Sequence, residues 1–219
     1  MPLFAIVFEN EHLVAADKPA GLLTVPSRLG SADPRPCLGR ALEQKLAIRL
    51  WPVHRLDLEV SGLVLFAKTA QAHRTASVAF EERRVEKRYQ ALTEGASKLD
   101  ELPASFLWQS RLVRGKRRTF EAPHGRMAVT RAVAERRTSR GGEEILVFSL
   151  RPETGRSHQL RVHLAQAGFC ILGDGLYGAR LPYENQAIAL RSVALSFTHL
   201  GDREALGLAL PLGVSPLLA

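Results

Sequence analysis

Residues 52–68 read PVHRLDLEVSGLVLFAK. The first half carries a histidine, an arginine and an aspartate; after Ser61-Gly62 the rest is apolar up to Lys68. This pattern predicts a polar loop that feeds a short buried strand over residues 63–67. Upstream, residues 38–50 (LGRALEQKLAIRL) place apolar side chains at helical spacing and stop before Pro52. Downstream, Thr69 is a candidate N-cap for a helix running to about residue 84. Further out, residues 3–8 and 13–16 flank a polar ENEH turn, the pattern of a hairpin. Residues 87–93 alternate again, strands are expected through the basic segment and at 145–150, and residues 187–197 and 206–210 look like closing strands. Ser157 is expected to cap a helix through Ala167, with Gly168 at its C′ position. Runs of strands with few helices, and no GxGxxG behind a strand, favour an α+β fold with a mostly antiparallel mixed sheet and flanking helices. No repeat or long Pro/Gly/Ser linker divides the chain, so a single domain over residues 1–219 is expected.

Composition narrows the function. The 219 residues are 46% hydrophobic and 24% charged, an ordinary globular balance. The longest apolar runs fall far short of the roughly 20 residues that a membrane-spanning helix needs. The opening MPLFAIVFENEH lacks the basic start of a signal peptide, and two cysteines without a CxxC build neither a disulfide framework nor a zinc module. A reducing cytoplasm is the expected location, with no membrane contact. The net charge of +8 is localised: residues 111–140 hold ten basic residues against Glu121 and Glu135, and the rest of the chain balances. Arginine outnumbers lysine 24 to 6, and its planar fork suits phosphates. Such a basic segment is the footprint of a nucleic-acid partner, or else the solvated face of an arginine-rich protein.

Three constellations carry chemistry. Asp57, in His54-Arg55-Leu56-Asp57, can be a catalytic carboxylate kept ionised by a nearby cation, or a turn aspartate capping backbone amides. Tyr89, in Lys87-Arg88-Tyr89-Gln90-Ala91, can stack on a base or handle a proton, or be a half-buried sheet tyrosine. In residues 151–178, RPETGRSHQLRVHLAQAGFCILGDGLYG, Arg161 shares a helix face with His158 and Ala165 while Leu160 and Leu164 point to the core. His158 and His163 are five apart rather than four, so no shared metal is expected. Gly155-Arg156-Ser157-His158-Gln159 ends in Gln where a G-x-S-x-G nucleophile turn needs glycine, which excludes a serine hydrolase of that type.

Taken together and in order, these segments resemble the RluA family of pseudouridine synthases. His54-Arg55-Leu56-Asp57 with Ser61-Gly62 is similar to the family's HRLDxxTSG signature, and Lys87-Arg88-Tyr89-Gln90-Ala91 with Gly95 to its KxYxAxxxG strand. Arg151-Pro152 with residues 154–163, then Gly173-Asp174 and Tyr177-Gly178, resemble its third motif. Residues 17–27, DKPAGLLTVPS, resemble its N-terminal hairpin. One departure is Val60, where the family usually has threonine. With the hairpin beginning almost at Met1, the chain looks like the short branch without an S4 RNA-binding domain.

The resemblance implies a pseudouridine synthase fold and an isomerase that turns specific uridines of 23S ribosomal RNA, transfer RNA or both into pseudouridine, after flipping the base. It implies Asp57 as the catalytic carboxylate, Arg161 as its ion-pair partner, Tyr89 against the flipped uracil, and Arg55 in the space the base leaves. No cofactor and no metal are expected, RNA is the expected partner, and the expected state is a monomer. The alternatives are a non-catalytic RNA-binding protein of the same fold and a basic DNA-binding protein, the latter disfavoured because no helix-turn-helix, zinc or zipper pattern is present.

Overall fold

The computed structural model describes residues 4–95, 103 and 105–218. The chain divides into two compact units, residues 1–86 with 192–215 and residues 87–191 with 216–219.

In the first unit, β1 (Ala5–Glu9) and β2 (Leu13–Lys18) form the expected antiparallel hairpin, Leu3 lying outside the described residues. Its turn is made by Asn10, whose Oδ1 accepts from the N–H groups of His12 at 2.9 Å and Leu13 at 2.8 Å. β2 pairs antiparallel on its other edge with β4 (Ser61–Ala67). Both strands are buried on both faces, which is why they read as unbroken apolar runs and not as alternation. The strand order is β1-β2-β4-β10, with β3 (Trp51–Pro52) added to β4 and β11 (Leu212–Gly213) to β10 (Leu190–Phe197). Helix α1 spans Leu38–Leu46. Helix α2 (Ala70–Glu81) begins where expected: Thr69 Oγ1 accepts from the Ala72 N–H at 3.1 Å. Its buried face is Ala72, Ala76 and Ala79, small side chains that join the leucines of β2 and β4 in one core.

In the second unit the strand order is β5-β9-β8-β6-β7, antiparallel throughout: β5 (Val85–Thr93), β9 (Glu143–Pro152), β8 (Arg126–Arg140), β6 (Phe106–Arg114) and β7 (Thr119–Glu121). Phe106, Trp108, Phe148 and Phe169 cluster with ring centroids 5.1–6.1 Å apart. Helix α3 (Gln159–Gln166) ends as expected at Gly168, φ +83°. There the Gly168 and Phe169 N–H groups bond back to Ala165 and Leu164 in a Schellman motif.

Several boundaries differ from expectation. Helix α1 stops at Leu46, because Ala47 turns left-handed (φ 56°) and Glu43 Oε1 takes the Leu50 N–H at 2.9 Å. Helix α2 stops at Glu81, with left-handed Arg83 filling the place of a glycine in another Schellman closure. Ser157 does not cap α3; its Oγ accepts from Arg114, and the capping position is His158, itself left-handed at φ 51°. Residues 206–210 are turns and bends, preceded by a short helix α4 (Leu200–Ala205), and the closing strand is β11.

Candidate active site

In the first unit, Asp57 lies half-buried and Arg55 exposed in the loop between β3 and β4. The loop is clamped on either side of the aspartate. Lys18, 0% exposed at the end of β2, donates to the carbonyls of Pro19 (2.9 Å), Leu22 (2.8 Å) and Leu58 (3.3 Å). The Gly21 N–H reaches the Leu58 carbonyl as well, at 2.8 Å. Thr24 Oγ1 donates to the Leu56 carbonyl at 2.9 Å and accepts from the Leu56 N–H at 3.1 Å. The Val60 N–H closes the turn on the Asp57 carbonyl at 3.2 Å. Residues 17–27 are thus the mould in which the aspartate turn is cast. Burial pushes the Lys18 ammonium down to about 8, while the carboxylates of Asp57 and Glu59 pull it the other way.

The neighbours of Asp57 have structural duties. Val60 is 3% exposed, so a threonine hydroxyl in its place would need a partner. His54 Nε2 accepts from the Leu65 N–H at 3.1 Å, and its ring stacks on Phe80 at 5.1 Å. Gly62 has φ +110°, and a Cβ there would stand 2.2 Å from the Ser192 carbonyl oxygen, so the Ser-Gly pair is a backbone requirement.

In the second unit, Tyr89 is half-buried on β5 opposite Leu150 of β9. Two residues back, Lys87 Nζ donates to the Thr154 carbonyl at 3.1 Å, fastening β5 to the third motif. That motif folds around one amide. Gln159 Oε1 accepts from Thr154 Oγ1 (2.6 Å) and the Arg156 N–H (3.0 Å); Nε2 donates to the Val129 carbonyl (2.8 Å) and Thr130 Oγ1 (2.9 Å). His163 lies between the hydroxyls of Ser110 and Thr130, each at 2.9 Å, and burial lowers its pKa to about 4. Arg161 is buried along with the core leucines of its helix, at 2% exposure. Its Nε and Nη2 grip the carboxylate of Asp174, 1% exposed, at 2.7 and 2.8 Å, and its Cζ lies 5.2 Å from the Tyr177 ring centroid.

Of the four residues singled out in the sequence, the first unit holds Asp57 and Arg55 and the second holds Tyr89 and Arg161. Asp174, Tyr177, Lys18 and Thr24, which hold these segments in place, were not singled out individually in the sequence. Their only signal was position within the quoted motifs, since neither periodicity nor charge marks a residue that works by holding another.

A family model described as RNA pseudouridylate synthase matches residues 12–166. By class the chain is therefore an RNA-modifying isomerase. It is 35% identical over 204 residues to the dual-specificity RNA pseudouridine synthase RluA of Vibrio vulnificus, covering 90% of this chain and 79% of that one. With the RluA of Pasteurella multocida it shares 33% over 222 residues, covering 96% and 94%. The human RNA Pseudouridylate Synthase Domain Containing 1 has the same fold, with a TM-score of 0.74 at 20% identity over 98% of this chain and 91% of that one. The chain belongs to the RluA family of pseudouridine synthases.

Proposed function

We propose that this synthase acts on uridines of 23S ribosomal RNA, transfer RNA or both, with Asp57 as its catalytic carboxylate. The observation that carries the assignment is the clamp on the Asp57 turn by Lys18 and Thr24, which fixes the backbone on either side of the carboxylate-bearing residue. The substrates rest on the relatives: beside the dual-specificity enzymes, the chain is 33% identical to a ribosomal large subunit pseudouridine synthase D of Zymomonas mobilis and 29% to a tRNA pseudouridine synthase C of Yersinia pestis.

The reaction is redox-neutral. The N1–C1′ bond breaks, the uracil turns, a C5–C1′ bond forms, the proton on C5 leaves and N1 gains one. Asp57 promotes the cleavage as the carboxylate. Arg161 is the positively charged member of the catalytic set. Tyr89 lies against the flipped uracil and assists removal of the C5 proton, and Arg55 takes the vacated place in the stack. The two units serve as one catalytic domain, active as a monomer in the cytoplasm. Among the described residues, no helix is long and apolar enough to cross a membrane.

Tritium release from RNA containing 5-tritiated uridine tests this reading. Asp57→Asn is nearly isosteric and carries no charge, so release falls by about four orders of magnitude or more, while RNA affinity stays within about twofold. Arg55→Ala slows release more on a rigid stem-loop, where unstacking costs a few kcal/mol, than on a relaxed variant of it. Full turnover by Asp57→Asn removes the aspartate from the mechanism.

A further inference from the structure

The Arg161–Asp174 pair poses a question that family membership does not answer. Both side chains are almost wholly removed from water, at 2% and 1% exposure. A buried ion pair contributes little net stability, because desolvating two charges offsets most of their attraction; apolar residues of equal volume often do as well or better. What such a pair does supply is orientation. A carboxylate gripping Nε and Nη2 fixes the plane of the guanidinium and the direction in which its remaining edge, Nη1, presents its protons.

The neighbouring ring completes the support. Tyr177 presents its ring to the Arg161 cation, 5.2 Å from Cζ, a cation–π arrangement that restrains motion out of the plane. The ring is itself pinned at its far end. Its hydroxyl accepts from the Thr119 N–H at 2.8 Å, meets the Thr119 carbonyl at 3.2 Å, and lies 2.9 Å from His158 Nδ1. Asp174 and Tyr177 are also joined through the backbone, the Asp174 carbonyl accepting from the N–H groups of Tyr177 (3.0 Å) and Ala179 (3.1 Å). His158 holds a left-handed conformation at the head of the helix that carries Arg161, φ 51° without being glycine. Backbone strain of that kind persists where the surrounding structure over-determines it.

We propose that Asp174 and Tyr177 form a cradle that positions the Arg161 guanidinium for the isomerisation, acting on the reaction only through that arginine. The inference rests on the assignment of Arg161 to the catalytic set. Asp174 and Tyr177 touch no reacting atom in this scheme; they are positioning residues. If the pair were merely a core filler, its loss would lower stability and leave the turnover of the folded fraction unchanged.

The test is a mutant cycle in tritium release with the full-length chain and RNA containing 5-tritiated uridine, kcat and KM being measured separately. Asp174→Asn lowers kcat about 100-fold, the scale of loss from a misplaced catalytic group, and leaves KM within about threefold. The double variant Arg161→Met/Asp174→Asn is no slower than Arg161→Met alone, since a residue that works through another has nothing left to contribute. Tyr177→Leu follows the same non-additive rule, and it replaces Asp174→Asn in the cycle if that variant does not fold. Tyr177→Phe, which keeps the ring but removes its pinning, falls between wild type and Tyr177→Leu. Losses that multiply in the double variants, or a wild-type kcat in folded Asp174→Asn, overturn the cradle. Wild-type turnover by Arg161→Met removes Arg161 from the catalytic set and the cradle with it. A wild-type chain that releases no tritium overturns the isomerase reading itself, a result distinct from the other two.

Discussion

His163 reads as one basic letter in a motif full of them, and folding turns it into the opposite. Set between the Ser110 and Thr130 hydroxyls and 2% exposed, it is held neutral, with its pKa lowered to about 4 by burial. The unfolded chain takes up a proton near pH 6.5 that the native protein resists. The stability contributed by the neutral ring is therefore complete above about pH 6.5 and is lost as pH falls towards about 4, by up to about 3 kcal/mol. Urea melts of wild type and His163→Gln at pH 7 and pH 4.5 check this: the difference in stability between the two proteins narrows at the lower pH. An unchanged difference means the ring is not held neutral. Single residues were legible in the sequence where their chemistry is local, as at the Thr69 cap. They were not legible where burial decides: Arg161 shares a helix face with His158 and Ala165 in the sequence pattern, and the structure buries it against the Asp174 carboxylate and the Tyr177 ring.

Among the elements, the basic hairpins show what counting charge leaves out. Of the ten cations in residues 111–140, Arg111 donates to the Gly125 carbonyl, Arg114 to Ser157 and Arg131 to Glu153. Those side chains brace the protein. Lys116, Arg117 and Arg118 instead stand exposed on the tight turn between β6 and β7, which the Gly115 N–H closes on the Arg118 carbonyl at 2.9 Å. If this tip meets phosphate, changing Arg117 and Arg118 together to glutamine weakens binding equally for target and non-target RNA. The slope of log affinity against log salt becomes shallower by up to about one unit for each phosphate that is no longer neutralised. A filter-binding titration at several salt concentrations reads both quantities, and an unchanged slope assigns the tip to ordinary solvation. The elements were visible because their signals are local: alternation at β1 and β5, the Thr69 cap, the Gly168 stop. Their ends were not, where Ala47 and Arg83 adopt the left-handed turn usually left to glycine. Residues 206–210 are apolar enough for a strand, yet the pairing fell to Leu212–Gly213, because only the sheet decides which apolar run finds an edge.

At the scale of the molecule, residues 87–191 of the second unit are spliced into the first, the chain passing between the units within β5, near the start of β10 and again at Pro216; the first two crossings lie inside strands, so no linker marks them in the sequence. This fixes an order of events. The β6-β8-β9 ladder joins near neighbours along the chain, whereas β4 finds β10 only across the whole inserted unit. Short closures precede long ones, since joining distant segments costs more chain entropy. In pulse-labelled hydrogen exchange during refolding, the amides of β6, β8 and β9 gain protection before those of β4; simultaneous protection would mean that both units form in a single step. For a ribosome the same splice means delay. By the time Glu86 emerges, the polypeptide already displays β4, one of its most oily segments, with much of one border unclaimed, and the partner for that border is still unmade. Until β10 is translated, the nascent chain carries an open strand edge prone to association with other chains. Fast elongation through residues 87–190 shortens that interval, which a contiguous first unit would not contain.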